Sequence, residues 1–189
     1  SMPEKAIAAV RALSVAASAS HLVGGQADDL AAEQDTQLAK PTHLKTAGCQ
    51  DETVVWSDFA DKPRLQHLES IHRRKTGALF SVSLDLGAIM VDADKEQRQT
   101  LGSYAAAIGL AFQVVDDLLD YTAEASTLGK RTGKDANRGK LTYPGLLGLD
   151  GARQKAQQLV ASAQRDAGKF GDSGRRLRLL ADFVLERSH

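Results

Sequence analysis

Asp116, Asp117 and Asp120 fall within about one helical turn of each other, and Gln113 lies one turn before them. They stand in a run from Tyr104 to Leu119 in which nearly every other residue is apolar or small. Such a helix is expected to be buried nearly all round. Three carboxylates on it repel one another, and they must take up protons or leave the interior unless a cation compensates them. Hard oxygen donors suit Mg²⁺, which keeps several waters and reaches substrate phosphates through one or two carboxylates. The bland alternative is a solvated acidic stripe at a helix end, and the apolar flanks argue against it. Immediately downstream, Ala123 to Tyr143 carries Lys130, Arg131, Lys134, Arg138 and Lys140 among Gly129, Gly133 and Gly139. A diphosphate bridging a metal needs this combination: backbone that comes close, and point charges that reach phosphate oxygens.

Other chemistries are excluded by spacing. Gly129 to Lys134 is one residue short of a nucleotide phosphate loop, with Asp135 where Ser or Thr belongs and no strand before it. Gly24-Gly25 is not a dinucleotide fingerprint. The histidines at 21, 43, 67, 72 and 189 have neither a His-Asp pairing nor the spacing of a hydrolytic metal site. Lys and Arg number 24 against 24 Asp and Glu, so no net charge draws the chain to nucleic acid or an anionic membrane. One cysteine, Cys49, excludes an internal disulfide and a multi-cysteine zinc site, and favours a reducing, cytoplasmic setting. No apolar run is long enough for a membrane span.

The elements that hold these residues should be helices. Ala and Leu number 29 and 24, while Val and Ile total 15, a ratio that predicts an all-α chain. Prolines stand only at 3, 41, 63 and 144, so 64–143 has no proline to break a helix. Periodicity predicts helices over Pro3 to Ala39, Arg64 to Val91, Asp94 to Thr122, Gly151 to Lys169 and Ser173 to Arg187, all in a single domain spanning 1–189. Residues 40–62 lack a clean period and read as a long loop or insertion. Ala6 to Ser20 has the composition of a secretion signal, but Arg11 interrupts it and the helical pattern continues beyond, so it reads as a structural helix.

Several blocks resemble the trans-isoprenyl diphosphate synthases, the polyprenyl synthetase family, and in particular its bacterial short-chain farnesyl or geranylgeranyl type. Phe112-Gln113-Val114-Val115-Asp116-Asp117-Leu118-Leu119-Asp120 is similar to the family's second aspartate-rich motif. Leu128-Gly129-Lys130, Gly133-Lys134-Asp135 and Gly139-Lys140-Leu141-Thr142-Tyr143-Pro144 resemble the loop after it. Val23-Gly24-Gly25-Gln26 with Asp29-Leu30, Lys75-Thr76-Gly77 and the closing Leu180 to Arg187 agree in order. The resemblance implies an all-α isoprenoid-synthase bundle and a prenyltransferase that condenses isopentenyl diphosphate with an allylic diphosphate, using Mg²⁺. Position by position it implies Asp116 as a metal ligand, supported by Asp117 and Asp120. Lys75 and Lys130 would bind the allylic diphosphate, and Thr76 and Gln113 would lie beside the carbocation. Gln26 and Asp29 would line the metal side of the cavity, and Lys140 would close over the diphosphate. His72 is assigned to packing.

The resemblance also implies a first aspartate-rich motif with following arginines and the N-terminal helices that carry them, and these are not among the 189 residues; Asp28-Asp29 belongs to the Gly-Gly-Gln block. The sequence therefore reads as the C-terminal portion of a synthase, whose uncovered apolar faces predict a homo-oligomer. The alternative is a non-catalytic homologue or regulatory subunit that keeps the fold. A terpene cyclase is disfavoured by the Lys-Thr-Gly and Gly-Lys blocks.

Overall fold

A computed structural model describes residues 1–34, 62–127 and 140–187. Seven α-helices cover most of them and no strand occurs among them: α1 (Met2–Ala16), α2 (Leu22–Gln34), α3 (Lys62–His72), α4 (Ala78–Met90), α5 (Lys95–Thr127), α6 (Tyr143–Gly168) and α7 (Arg175–Glu186). Of the expected loop 40–62, only Lys62 is described, and it opens α3. Among the described residues no helix is long and apolar enough to cross a membrane.

The helix expected over Pro3 to Ala39 is two helices. A capping box between Ser1 and Glu4, with Pro3 in the first turn, starts α1. It stops at Ala16 because serine side chains take over the bonding. Ser18 Oγ donates to the Val15 carbonyl at 2.7 Å, and Ser18, Ser20 and His21 form a side-chain chain at 2.8 and 3.0 Å. The chain then doubles back so tightly that a Cβ on Gly24 would lie 1.8 Å from the Ala19 carbonyl oxygen. Lys5 pins α1 to the far end of α4, donating to the Met90 carbonyl at 2.8 Å and pairing with Asp92.

α3 runs into α4 through a single π-helical turn, Arg73–Gly77, so the expected helix from Arg64 to Val91 is continuous but carries one wide turn. α5 is 33 residues long, roughly 50 Å. Reciprocal bonds between Asp94 and Gln97 start it at 2.8 and 3.0 Å. Tyr104, Ala105, Ile108, Leu110, Ala111, Val114, Val115 and Leu118 are all buried, as the apolar run predicts.

α6 packs along α5 through a stripe of small residues, Ala152, Ala156, Val160, Ala163 and Ala167. It begins at Tyr143 rather than at the expected Gly151, because Thr142 caps it, accepting from the Gly145 amide at 3.2 Å, and Pro144 fits the first turn. Gly148, at φ 70° and ψ 169°, kinks the helix near its start. A short 3₁₀ turn, Gly171–Gly174, leads into α7. α7 is held to the bundle by buried Ala181 and Val184 and by the Tyr104 hydroxyl, which donates to the Leu177 carbonyl at 2.8 Å.

Candidate active site

The candidate site is built on α5, against which the π turn and α6 pack, with α2 lying on the π turn. Close backbone approach builds the first part. A Cβ on Gly25 would fall 2.4 Å from the Lys75 amide nitrogen, so α2 lies directly against the π turn and only glycine fits there. On the opposite side, Gly109 of α5 sits within 3.3 Å of Gly77 Cα, measured from where its Cβ would be. The π turn is thus clamped between two glycines. Two cross-helix ion pairs align it: Lys75 Nζ to Asp29 Oδ2 at 2.5 Å, and Arg74 to Asp28. Thr76 lies in the same turn, half-buried, whereas Gln26 is exposed on α2.

The three aspartates divide into two faces. Asp116, with 48% of its side chain exposed, and Asp120, also exposed, point outward one turn apart. Gln113 is half-buried above them. Asp117 turns inward, and its Oδ2 accepts from the Tyr143 backbone amide at 2.9 Å. Burial pushes the Asp117 carboxyl up to about 7, opposed by that hydrogen bond and by Lys140. Asp117 therefore fastens the start of α6 to the acidic helix. Among the described residues no three His, Cys, Asp or Glu side chains converge closely enough to hold a metal alone. An exposed carboxylate pair of this kind could hold Mg²⁺ only together with water and phosphate oxygens, since Mg²⁺ is usually bound through one or two carboxylates.

Around Asp117 is a buried polar hub. The His72 and Tyr143 rings are 5.5 Å apart, and among the described residues neither His72 Nδ1 nor the Tyr143 hydroxyl has a hydrogen-bond partner. Burial pulls His72 down to about 4, with Asp29 opposing and Lys75 and Lys140 reinforcing the fall, so its imidazole is neutral. The reading of His72 as a packed residue agrees with this. Glu69 receives Lys155 at 2.7 Å and Arg73 at 3.5 Å. Lys140 lies near the hub with its amine 3.9 Å from Glu33, exposed enough to reach a ligand. Lys130 lies outside the described residues.

One charge in this region had no role in the sequence reading. The Arg187 guanidinium stacks over Phe112, 4.9 Å from the ring centroid, with Nη2 3.9 Å from Asp116 Oδ1. Phe112 leans in turn on Phe80 at 5.7 Å. A separate groove of about 810 Å³ opens between α1, α4 and the start of α5 and contains none of these aspartates.

An all-α bundle with an acidic helix and a lysine-bearing turn defines the class, an isoprenoid-synthase-type helical protein. The chain belongs to the polyprenyl synthetase family, whose model matches residues 5–174. It is 41% identical over 171 residues to geranylgeranyl pyrophosphate synthase 9 of Arabidopsis thaliana, covering 90% of this chain and 41% of that protein. It is 44% identical over 128 residues to farnesyl diphosphate synthase of Escherichia coli, covering 66% of this chain and 43% of that one. An FPP/GFPP synthase structure from Zymomonas mobilis is similar in fold, with TM-score 0.69, 35% identity, 96% of this chain covered and 51% of that chain. The chain thus spans less than half the length of the curated relatives it matches.

Proposed function

We propose that this chain supplies the second carboxylate helix and the lysine turn of a Mg²⁺-dependent prenyltransferase, which joins isopentenyl diphosphate to an allylic diphosphate. The observation that carries the reading is the outward pair, Asp116 and Asp120, on a stretch of α5 whose apolar residues are mostly buried, in the same bundle as a Lys75 held at 2.5 Å from Asp29. In the reaction the allylic C–O bond breaks and diphosphate leaves with the electron pair; the isopentenyl double bond attacks the cation, and a proton is lost. Bound Mg²⁺ supplies neutralising charge for the departing diphosphate. Lys75, Lys130 and Lys140 add point charges on its oxygens, and Asp29 keeps Lys75 aimed before ligand arrives. The polar oxygens of Thr76 and Gln113 lie toward the carbocation and stabilise it. Gln26 extends the polar lining from α2. Asp117, through Tyr143, fixes where the basic segment rejoins the bundle.

We also place the protein in the cytoplasm, a setting that its lone cysteine favours, and assign it a homo-oligomeric state. The outer faces of α1 and α2 support self-association: Ile7, Val10, Leu13 and Val23 are 50–69% exposed.

These 189 residues hold one of the two aspartate-rich motifs implied for the reaction. Removing one preorganised electrostatic element costs on the order of a hundredfold to a thousandfold in rate. The chain alone is therefore expected to give no turnover of radiolabelled isopentenyl diphosphate with dimethylallyl or geranyl diphosphate. A polypeptide joining it to helices that carry the first motif is expected to be active with Mg²⁺ and inactive as Asp116→Ala. Turnover by the chain alone would show that the catalytic metals sit elsewhere. An inactive joined protein would favour a non-catalytic role.

A further inference from the structure

We infer that Arg187 is a built-in counter-cation for Asp116, occupying the carboxylate until Mg²⁺ displaces it. The inference rests on the reading of Asp116 as a metal ligand. Asp116 and Asp120 repel one another across one turn of α5, and a cation beside Asp116 relieves that repulsion. Arg187 directly follows the last turn of α7, a helix anchored through Ala181 and Val184, so its reach is limited. Its guanidinium is not simply solvated. It is perched on the Phe112 face at 4.9 Å, and that ring is itself braced by Phe80, which packs against Gly109 of α5. From this perch Nη2 stands 3.9 Å from Asp116 Oδ1, close enough for charge compensation but too long for a direct hydrogen bond. That spacing sets the energetic character of the contact. It steadies the carboxylate without the bidentate grip that would make displacement slow, and a cation arriving at Asp116 meets a resident positive charge at short range.

Arg187 is thus a positioning residue, and it should lower the affinity of bare Mg²⁺. Replacing it by Gln removes the competing charge while keeping a polar side chain. Two charges on Mg²⁺ facing one on Arg187 across several ångströms of wet surface imply a tightening of roughly three- to tenfold in Arg187→Gln. Arg187→Lys keeps the charge and should retain the wild-type affinity. Phe112→Leu removes the perch and should fall between the two.

The experiment is a titration with MgCl₂ alone, read by backbone amide shifts of residues 113–121, on wild type, Arg187→Gln, Arg187→Lys, Phe112→Leu and Asp116→Ala, with helicity checked by circular dichroism. Loss of the shifts in Asp116→Ala together with tighter binding in Arg187→Gln and rescue by Arg187→Lys supports the inference. Binding seen only in Arg187→Gln supports it also. If Asp116→Ala loses binding while Arg187→Gln is unchanged or weaker, the counter-cation role is overturned and the metal reading stands. If Asp116→Ala binds as wild type does, or no variant binds, the metal reading falls and the inference with it. Should Arg187→Gln fail to fold, the Phe112→Leu titration decides: unchanged or weaker affinity there overturns the role.

Discussion

Substituting Gly25 by Ala tests whether the contact between α2 and the π turn is as tight as described. The added methyl would lie 2.4 Å from the Lys75 amide nitrogen and 2.8 Å from both Arg74 C and Lys75 Cα, all backbone atoms that cannot rotate away. Ordinary contact begins near 3.4 Å, so the two segments must separate by about 1 Å. That movement stretches the 2.5 Å Lys75–Asp29 pair beyond hydrogen-bonding distance. Overpacking of this kind costs about 1–3 kcal/mol, and the helix propensity of alanine within α2 returns about 0.5–1 kcal/mol, for a net loss of up to about 2.5 kcal/mol. For a chain of this size the melting temperature should drop by up to roughly 10 °C, at about 2–4 °C per kcal/mol. Gly102→Ala in α5 is the control, since nothing lies within 4 Å of its added methyl. It should stabilise by about 0.5–1 kcal/mol through helix propensity alone. Urea unfolding of both variants, with the slope compared to wild type, gives the answer. A Gly25→Ala protein stabilised as much as Gly102→Ala would refute the close approach and with it the alignment of Lys75.

His72 is neutral in the fold to about pH 4 but protonates near 6.5 when unfolded. Its folded pKa is depressed, so stability is full above 6.5 and is lost as pH falls toward 4. From pH 7 to 5 wild type should lose about 2 kcal/mol relative to His72→Gln. The comparison with the variant is needed because Asp117, raised to about 7, binds protons more tightly when folded and shifts stability the opposite way. An imidazole proton signal from His72 that titrates above pH 6 in the native protein would contradict this. Asp117→Ala leaves the Tyr143 amide without its acceptor and should cost about 1–3 kcal/mol, whereas Asp117→Asn retains an acceptor oxygen and should cost much less; equal losses by urea unfolding would argue against the 2.9 Å bond. Lys75→Met should abolish Mg²⁺-dependent inorganic diphosphate binding by calorimetry while leaving helicity intact, and unchanged binding would remove Lys75 from the site.

Composition and period made the all-α class legible, because an Ala- and Leu-rich chain with a proline-free stretch from 64 to 143 has few other options. The burial of α5 was equally readable, since its apolar residues face every direction. The break at Ser18 was not, because no proline or glycine marks it; the signal is a set of short side-chain bonds that exist only once the turn has formed. The early start of α6 depended on Thr142 acting as a cap, a role that only the backbone angles identify. Spacing placed Asp116 and Asp120 on one face, but it could not say that Asp117 would find the Tyr143 amide, 26 residues away in sequence. Arg187 stood in the closing block of the resemblance, but its contacts were unreadable for the same reason, its partners Phe112 and Asp116 lying on another helix.

The π turn at Arg73–Gly77 changes how insertions and deletions can act on this protein. A π turn amounts to one surplus residue in an α-helix, and each residue advances the helix by about 100°. The wide turn absorbs that residue locally, so the faces buried by α3, at Leu68 and Ile71, and by α4, at Ala78, Val82 and Ala88, keep their directions on either side of it. Deleting one residue of the turn would restore a regular helix with those faces nearly unmoved. What would be lost is the bulge itself, the backbone that lies against Gly25 and Gly109 and presents Lys75 to Asp29. A one-residue deletion here is thus expected to spare the bundle and spoil the site, whereas the same deletion elsewhere in α3 or α4 would rotate everything beyond it by about 100°.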